Sequence, residues 1–304
     1  MKKILVICAN ASTYHAPVFR QLSTFKKDLK LEVLYGKNDL YENFYNYEYG
    51  IEIKKNRQVF EGYKFKILKN YFNFKKGFFS RCNFSVVKEI ISRDADYVFL
   101  FGYDNFTSFL AYLTSVISGK KILWRGESII QKKRNFIKLF IKKIILTIYF
   151  FFIHKAFYSC KKNKNYLLQY TSIKKLEFYP CCVDNDYFRS LNKKKGKNNN
   201  KIIILTACRL TKRKNLKNVL DGICEAKKEY KKDLEYLIIG DGPEKFFLKN
   251  YAKKLKIKTK FFGFLSHKNM SRHLIKSDIF CLLSNFDASP KILNEVMNFK
   301  IPII

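Results

Sequence analysis

Negative charge is what this chain has least of. Its 304 residues hold 25 Asp and Glu against 60 Lys and Arg, a formal net charge of +35. Such a field attracts nucleic acid, anionic lipid headgroups or phosphorylated substrates, and net charge alone does not choose among them. The excess is mostly Lys spread along the whole chain, which weakens it as a functional signal. No nucleic-acid recognition motif accompanies it, so nucleic acid is not expected as a partner. The 8 cysteines and 4 histidines are scattered, with no C-x-x-C pair. That argues against a zinc site and a secreted disulfide framework, and for a reducing cytosol. No secretory signal is expected either, since Lys2 and Lys3 lead straight into the short run ILVICA. The N-x-S/T triplets at Asn10, Asn83 and Asn105 therefore carry no glycosylation meaning. The apolar run Ile144 to Ile153 has ten residues, against roughly twenty needed to span a bilayer.

What is present is a globular composition, 47% hydrophobic and 28% charged, in a chain long enough for two domains. Short apolar runs, KKILVICA, LEVLYG, YVFLFG, KKILWRG, AFYSC and KLEFYP, read as buried parallel strands. Helical patterns separate them, including one from Pro17 to Lys27 with Val18, Leu22 and Phe25 on one face. The aromatic-rich stretch from Tyr41 to Phe79 has no readable order. Another helix contains FIKLFIKKIILTIYFFFI; it suits a core helix of the first domain or an interfacial helix on an anionic leaflet. The polar, basic stretch around 190–200 reads as a linker, after which the alternation restarts with IIILTAC and LEYLIIG. The expected architecture is α/β: two doubly wound Rossmann-like domains, 1–189 and 201–304, joined by 190–200. Ligands of open parallel sheets bind at the carboxyl ends of strands, so the cleft between domains is the expected site.

The stretch NFDASPKILNE, from Asn285, carries the sharpest local pattern. Ser289 suits an N-cap and Pro290 the first helical position, leaving the amides of Lys291 and Ile292 to face an anion. Glu295 then lies about 9 Å inside that helix, and Asp287 lies before the cap. An anion site between two carboxylates suits a sugar joined through a pyrophosphate to a nucleoside. Upstream, Arg209 and Lys214 follow the strand IIILTAC and can hold two phosphates. Gly240 and Gly242 in IIGDGPE permit a tight turn with close backbone approach. Gly263 lies in a crossover loop where a base can meet the main chain. Asp94-Ala-Asp96 has the D-x-D form of metal-dependent transferases, but its place before YVFLF reads as a helix-to-strand turn.

In order and spacing, R-L-x-x-x-K-N, I-I-G-D-G-P-E, F-F-G-F-L and acid-x7-acid resemble the donor half of retaining glycosyltransferases of family 4, with the GT-B fold. T-Y-H-A-P-V-F-R, W-R-G-E-S and Y-P-C-C-V-D-N-D-Y-F are similar in the first half. The resemblance implies a hexosyltransferase-type enzyme moving a sugar, with retention, from a nucleotide-diphosphate sugar to a saccharide or lipid-linked acceptor. Cell-surface polysaccharide or lipopolysaccharide synthesis is the implied setting, in the cytoplasm and peripheral on the inner face of an anionic membrane.

It further implies that Arg209 and Lys214 bind the diphosphate, that Glu295 holds the ribose and that Asp287 contacts the donor sugar. The main chain at Lys291, Ile292 and Leu293 would meet phosphate, and Gly263 with Phe264 the base. Asp287 stands where Glu is more usual, one methylene shorter. Glu127 falls near a place where relatives carry a sugar-facing His, with Arg125 and Glu127 alternatively residues of the fold. His15 lies on the loop that in relatives faces the donor phosphates or the acceptor, and alternatively serves in capping or packing. No metal or other cofactor is implied. Chains of this fold normally continue past the point reached at Ile304, so an incomplete second domain is expected. The alternative is therefore a truncated, catalytically inactive remnant or binding module of the same fold.

Overall fold

The structure, a computed structural model, describes residues 1–25, 28–37, 39–46, 51–53, 55–72, 74, 77–130, 136–192, 201–230 and 233–304. It divides into two compact units, Met1–Cys182 and Val183–Ile304. The expected linker at 190–200 falls largely outside the described residues, as does the end of the first expected helix at Lys27.

The first unit runs β1 (Lys2–Cys8), α1 (Ala16–Phe25), β2 (Leu29–Tyr35), β3 (Phe44–Asn46), β4 (Ile51–Ile53), β5 (Lys64–Ile67), α2 (Ser85–Ser92) and β6 (Tyr97–Phe101). It continues with α3 (Phe106–Ile117), β7 (Lys121–Arg125), α4 (Phe136–Phe151), β8 (Ile153–Tyr158), α5 (Lys161–Leu167) and β9 (Leu176–Phe178). Seven strands form a parallel sheet in the order β5-β2-β1-β6-β7-β8-β9. Both faces are covered, so the central strands β1, β6 and β7 are mostly apolar, while the edge strands β5 and β9 carry exposed charged residues. Leu5 and Ile7 of β1 pack with Trp124 of β7 and with α2 to α5, while Val6 and Cys8 pack with Phe19 of α1. The expected face of α1 is corrected in part: Leu22 packs on this cluster as expected, but Ala16 and Phe19 are its buried residues and Val18 is only half-buried. β5, an edge strand paired with β2, was not legible in its aromatic surroundings.

All three N-x-S/T asparagines have structural work, Asn10 accepting from Arg81 Nε and Nη2 at 3.0 and 2.9 Å. The Asn105 side chain accepts the amide of Ser108 and caps α3, and buried Asn83 donates to the carbonyls of Gly36, Leu68 and Lys69. Asp94 and Asp96 lie between α2 and β6, where Asp94 pairs with Lys3 and Asp96 accepts the amide of Lys3.

The core reading of α4 is corrected in part. Only Leu146, Tyr149 and Phe150 are buried, while Ile137, Ile141, Ile144, Ile148 and Phe151 are exposed. A helix that is apolar all round can set only one stripe against a sheet, and the remainder faces outward. Among the described residues, no helix is long and apolar enough to cross a membrane.

The second unit runs α6 (Asn185–Leu191), β10 (Lys201–Ala207), α7 (Leu216–Glu229), β11 (Asp233–Ile239), α8 (Lys245–Lys254), β12 (Lys258–Gly263), α9 (His267–Leu274), β13 (Ile279–Phe280) and α10 (Lys291–Met297). Its sheet is parallel in the order β12-β11-β10-β13, and Ile303 bridges to Phe280 beside β13. Leu234, Tyr236 and Ile238 pack against α7 and α8; Leu237 and Ile239 pack against α9 and α10. One residue on the central strand β11 breaks the apolar run. Glu235 is 2% exposed, with Lys201 of β10 at 2.5 Å and Lys260 of β12 at 2.8 Å. Burial raises its carboxyl pKa, and the two lysines outweigh that and leave it lowered.

Candidate functional site

The carboxyl ends of β10, β11 and β12 carry the second unit's candidate residues on loops joined by their main chains. The Cys208 amide donates to the Ile239 carbonyl at 3.0 Å, the Leu210 amide to the Asp241 carbonyl at 2.9 Å, and the Glu244 amide to the Leu210 carbonyl at 3.1 Å. This approach requires Gly240 and Gly242. Both have positive φ, 128° and 156°; a Cβ would lie 1.9 Å from the Cys208 carbonyl oxygen at Gly240 and 2.4 Å from that of Leu210 at Gly242. The close approach read from these glycines is thus first of all to the neighbouring loop. Gly263, at φ 68°, accepts the Gly240 amide at 2.7 Å, and Phe264 beside it is exposed. Asp241 between the glycines accepts Gly242 N–H at 2.8 Å and Lys245 Nζ at 2.5 Å, and Lys245 holds its carboxyl below the usual range.

Arg209 is half-buried at the start of the loop after β10. A 3-10 turn follows at Lys212–Lys214, ended by Asn215 in the left-handed region at φ 58°. Lys214 is 8% exposed, and its ammonium is paired with the Asp287 carboxylate. Two further bonds fasten the same loops: Asn285 N–H to the Arg213 carbonyl at 3.0 Å, and Arg213 Nη1 to the Phe286 carbonyl at 3.0 Å. The sequence reading singled out Lys214 and Asp287, which the structure pairs, and passed over Arg213, which joins the same loops but lies among neighbouring basic residues that all looked equivalent. Cys208, which its apolar run marks as a core residue, packs against the second unit's core, and its burial pushes the thiol up to about 12, with Lys214 pulling the other way.

The start of α10 is corrected by one residue. Pro290, at ψ 105°, is the capping residue and Lys291 the first helical one; Ser289 precedes the cap, and no side chain caps this end. Proline's fixed φ suits either place, but its extended ψ puts it outside the helix. The Leu293 amide donates to the Pro290 carbonyl at 3.1 Å, which leaves Lys291 and Ile292 as the amides of the opening turn. Glu295 is 2% exposed, with His267 Nε2 3.7 Å from its Oε1. His267 packs edge-on against Phe188, and burial lowers its pKa, so at neutral pH it is uncharged.

In the first unit the carboxyl ends of β1, β7 and β9 bring together residues far apart in sequence. Arg125, at the end of β7, is 3% exposed. Its Nη1 lies 3.1 Å from Glu127 Oε1 and 3.5 Å from His15 Nε2; its Nη2 lies 3.6 Å from Cys181 Sγ. Its guanidinium stacks 4.5 Å from the Tyr179 ring, and Cys181 donates to Glu127 at 3.4 Å. His15 also packs on Phe101, centroids 4.6 Å apart. The sequence singled out His15 and Glu127; the structure makes Arg125 the group that joins them. Among the described residues, no cluster of His, Cys, Asp and Glu could hold a metal ion.

Residues 188–304 match the family model described as glycosyl transferases group 1. No curated protein matches the sequence. Solved structures are similar in fold at low identity. They include a lipopolysaccharide outer core galactosyltransferase, WaaB, in its apo form (16% identity, TM-score 0.64, 99% of this chain and 79% of that one). A glycosyltransferase from Rickettsia africae is also similar (18%, 0.68, 99% and 78%). A UDP-N-acetylglucosamine 2-epimerase shares the fold as well (11%, 0.57, 99% and 78%). The chain thus has the two Rossmann-like α/β units of the GT-B fold.

Proposed function

We propose that this chain is a retaining glycosyltransferase that moves a hexosyl group from a nucleotide-diphosphate sugar to a saccharide or lipid-linked acceptor. The setting we propose is cell-surface polysaccharide or lipopolysaccharide synthesis, in the cytoplasm and on the inner face of the membrane. One observation supports it above the rest: the loop carrying Arg209 and Lys214 is fastened to the loop carrying Asp287, ahead of α10, within the region that matches the family model.

In this reading Arg209 and Lys214 neutralise the diphosphate as it departs, the point where stabilisation counts most. Asp287 holds Lys214 until the donor arrives, then turns to the donor sugar. Glu295 takes the ribose hydroxyls, the amides of Lys291 and Ile292 take phosphate oxygens, and Gly263 with Phe264 meets the base. Gly240 and Gly242 keep the loops close enough for these roles, while Ser289 sets the chain's approach to α10. His15 and Glu127 would face the acceptor or the transferred sugar. Because two cations carry the leaving charge, no metal ion is required, and a chelator should leave turnover unchanged.

The test is a panel of UDP-, GDP- and ADP-sugars with saccharide and lipid-linked acceptors, reading nucleoside diphosphate release and the anomeric configuration of the product. Transfer with retention supports the proposal. Epimer formation without acceptor would move the reading to an epimerase, and donor binding without any turnover would favour the inactive remnant.

A further inference from the structure

The outward surface of α3 and α4 has no place in the chemistry above. Both helices pack on the same face of the seven-stranded sheet and touch each other, Tyr112 stacking on Tyr149 with centroids 4.1 Å apart. Their outer surfaces therefore lie side by side. On α4, Ile137, Ile141, Ile144, Ile148 and Phe151 recur at alternating spacings of four and three, which sets them on one stripe. They are 65%, 51%, 47%, 58% and 72% exposed, directly opposite the buried Leu146, Tyr149 and Phe150. On α3, Phe109, Leu113 and Ile117 are likewise exposed at helical spacing. Soluble proteins rarely leave so broad an apolar layer facing water.

Charge identifies what covers it. Neither helix contains an Asp or Glu, and α4 carries Lys138, Lys142 and Lys143. By helical angle, Lys138 and Lys143 flank the apolar stripe on opposite sides. We infer that this face seats the protein on a bilayer surface bearing anionic headgroups, with the isoleucines in the acyl boundary and the flanking lysines at the phosphates. Its 16 residues reach about 24 Å, too short to span and suited to lying in the plane. A second copy fits less well, because pairing the stripe with itself would set lysine against lysine with no acid to answer. The inference deepens the reading that transfer takes place at the membrane, and it concerns a surface separate from the residues assigned to donor and acceptor.

The experiment is flotation of the full chain with phosphatidylcholine vesicles, with and without phosphatidylglycerol, at low and high salt. Binding should be at least about tenfold tighter to the anionic vesicles and weaken with salt. Ile144→Asn with Ile148→Asn should lose binding by a similar factor, whereas Lys138→Glu with Lys143→Glu should lose only the anionic preference. Neither pair should alter the circular dichroism spectrum or donor binding in solution. Equal binding to neutral vesicles, undiminished binding of the asparagine variant, or a solution dimer dissolved by the same asparagines would overturn the inference. Vesicle binding by a chain that turns over no nucleotide sugar would instead sink the proposed activity and leave this surface standing.

Discussion

At the carboxyl end of the second sheet, main chain lies against main chain; at the carboxyl end of the first, a cluster of side chains joins loops beyond what the main-chain bonds of Gly36 and Gly102 reach. The loops after β10 and β11 touch because two glycines lack a Cβ, and a buried ion pair, Lys214 with Asp287, ties in the third loop together with two bonds through Arg213. The first unit gathers its loops around one buried guanidinium, which His15, Glu127, Tyr179 and Cys181 surround. Backbone joints tolerate no substitution but leave little that can titrate or reorient. Side-chain joints tolerate conservative change and keep groups that a ligand can recruit. A region meant to hold a rigid phosphate-sized target suits the first kind, and one adapted to varied partners suits the second.

Six substitutions, grouped by site, test that contrast. Lys214→Ala should reduce turnover by about 10²–10³-fold, the loss expected for one donor to developing charge. The melting temperature should move far less than the rate; unchanged turnover would remove Lys214 from the chemistry. Gly240→Ala should lower unfolding stability by about 3 kcal/mol, since clash adds to backbone strain. Gly263→Ala should cost about 1 kcal/mol, because a Cβ there meets only Asp241 Oδ2 at 3.8 Å and the price is conformational. Equal denaturation midpoints for these two variants would break the claim that contact between loops is what selects glycine.

Arg125→Lys should cost about 2 kcal/mol by denaturant unfolding, as a shorter cation cannot reach Glu127, Cys181 and the Tyr179 ring together. Arg125→Met, which also removes the charge, should cost more. The smallest effect concerns pH. Burial lowers the pKa of both His267 and His273 in the second unit. The folded state then binds fewer protons than the unfolded one, so this stability is fully present above the unfolded value near 6.5 and falls as pH drops through it. His267→Gln should remove part of the slope below about pH 6.5, less than about 1 kcal/mol, because the ring is partly exposed and its cation can be answered by Glu295. Melting curves across that range would show it, and an unaltered slope would refute it.

The same contrast explains which parts were legible in the sequence. Parallel strands buried on both faces announce themselves as apolar runs, and β1, β2, β6, β7, β10 and β11 lie where those runs stand. Gly240 and Gly242 could be read because their φ excludes most other residues. The opening of α10 was misplaced by one because Ser289 and Pro290 both satisfy cap chemistry, and only ψ at Pro290 decides between them. α4 stayed open between core and interface because periodicity cannot say which stripe of a largely apolar helix meets the sheet. Of the ring around Arg125 only the pairing with Glu127, two residues on in W-R-G-E-S, had a local signal, since His15, Arg125 and Cys181 meet only through the strand order.

Glu235 illustrates how a fold can reject its own near-copies. Along β11, neighbouring side chains alternate between the two faces of the sheet. A slip of one residue against β10 or β12 would therefore move the carboxylate to the layer now filled by Leu234 and Tyr236, beyond Lys201 and Lys260. An unanswered buried charge is costly by several kcal/mol, so the misaligned sheet is penalised far more heavily than the aligned one is rewarded. Read this way, the acid adds little to stability and much to fidelity: it is a checksum, spelled across three strands, that only the right alignment satisfies.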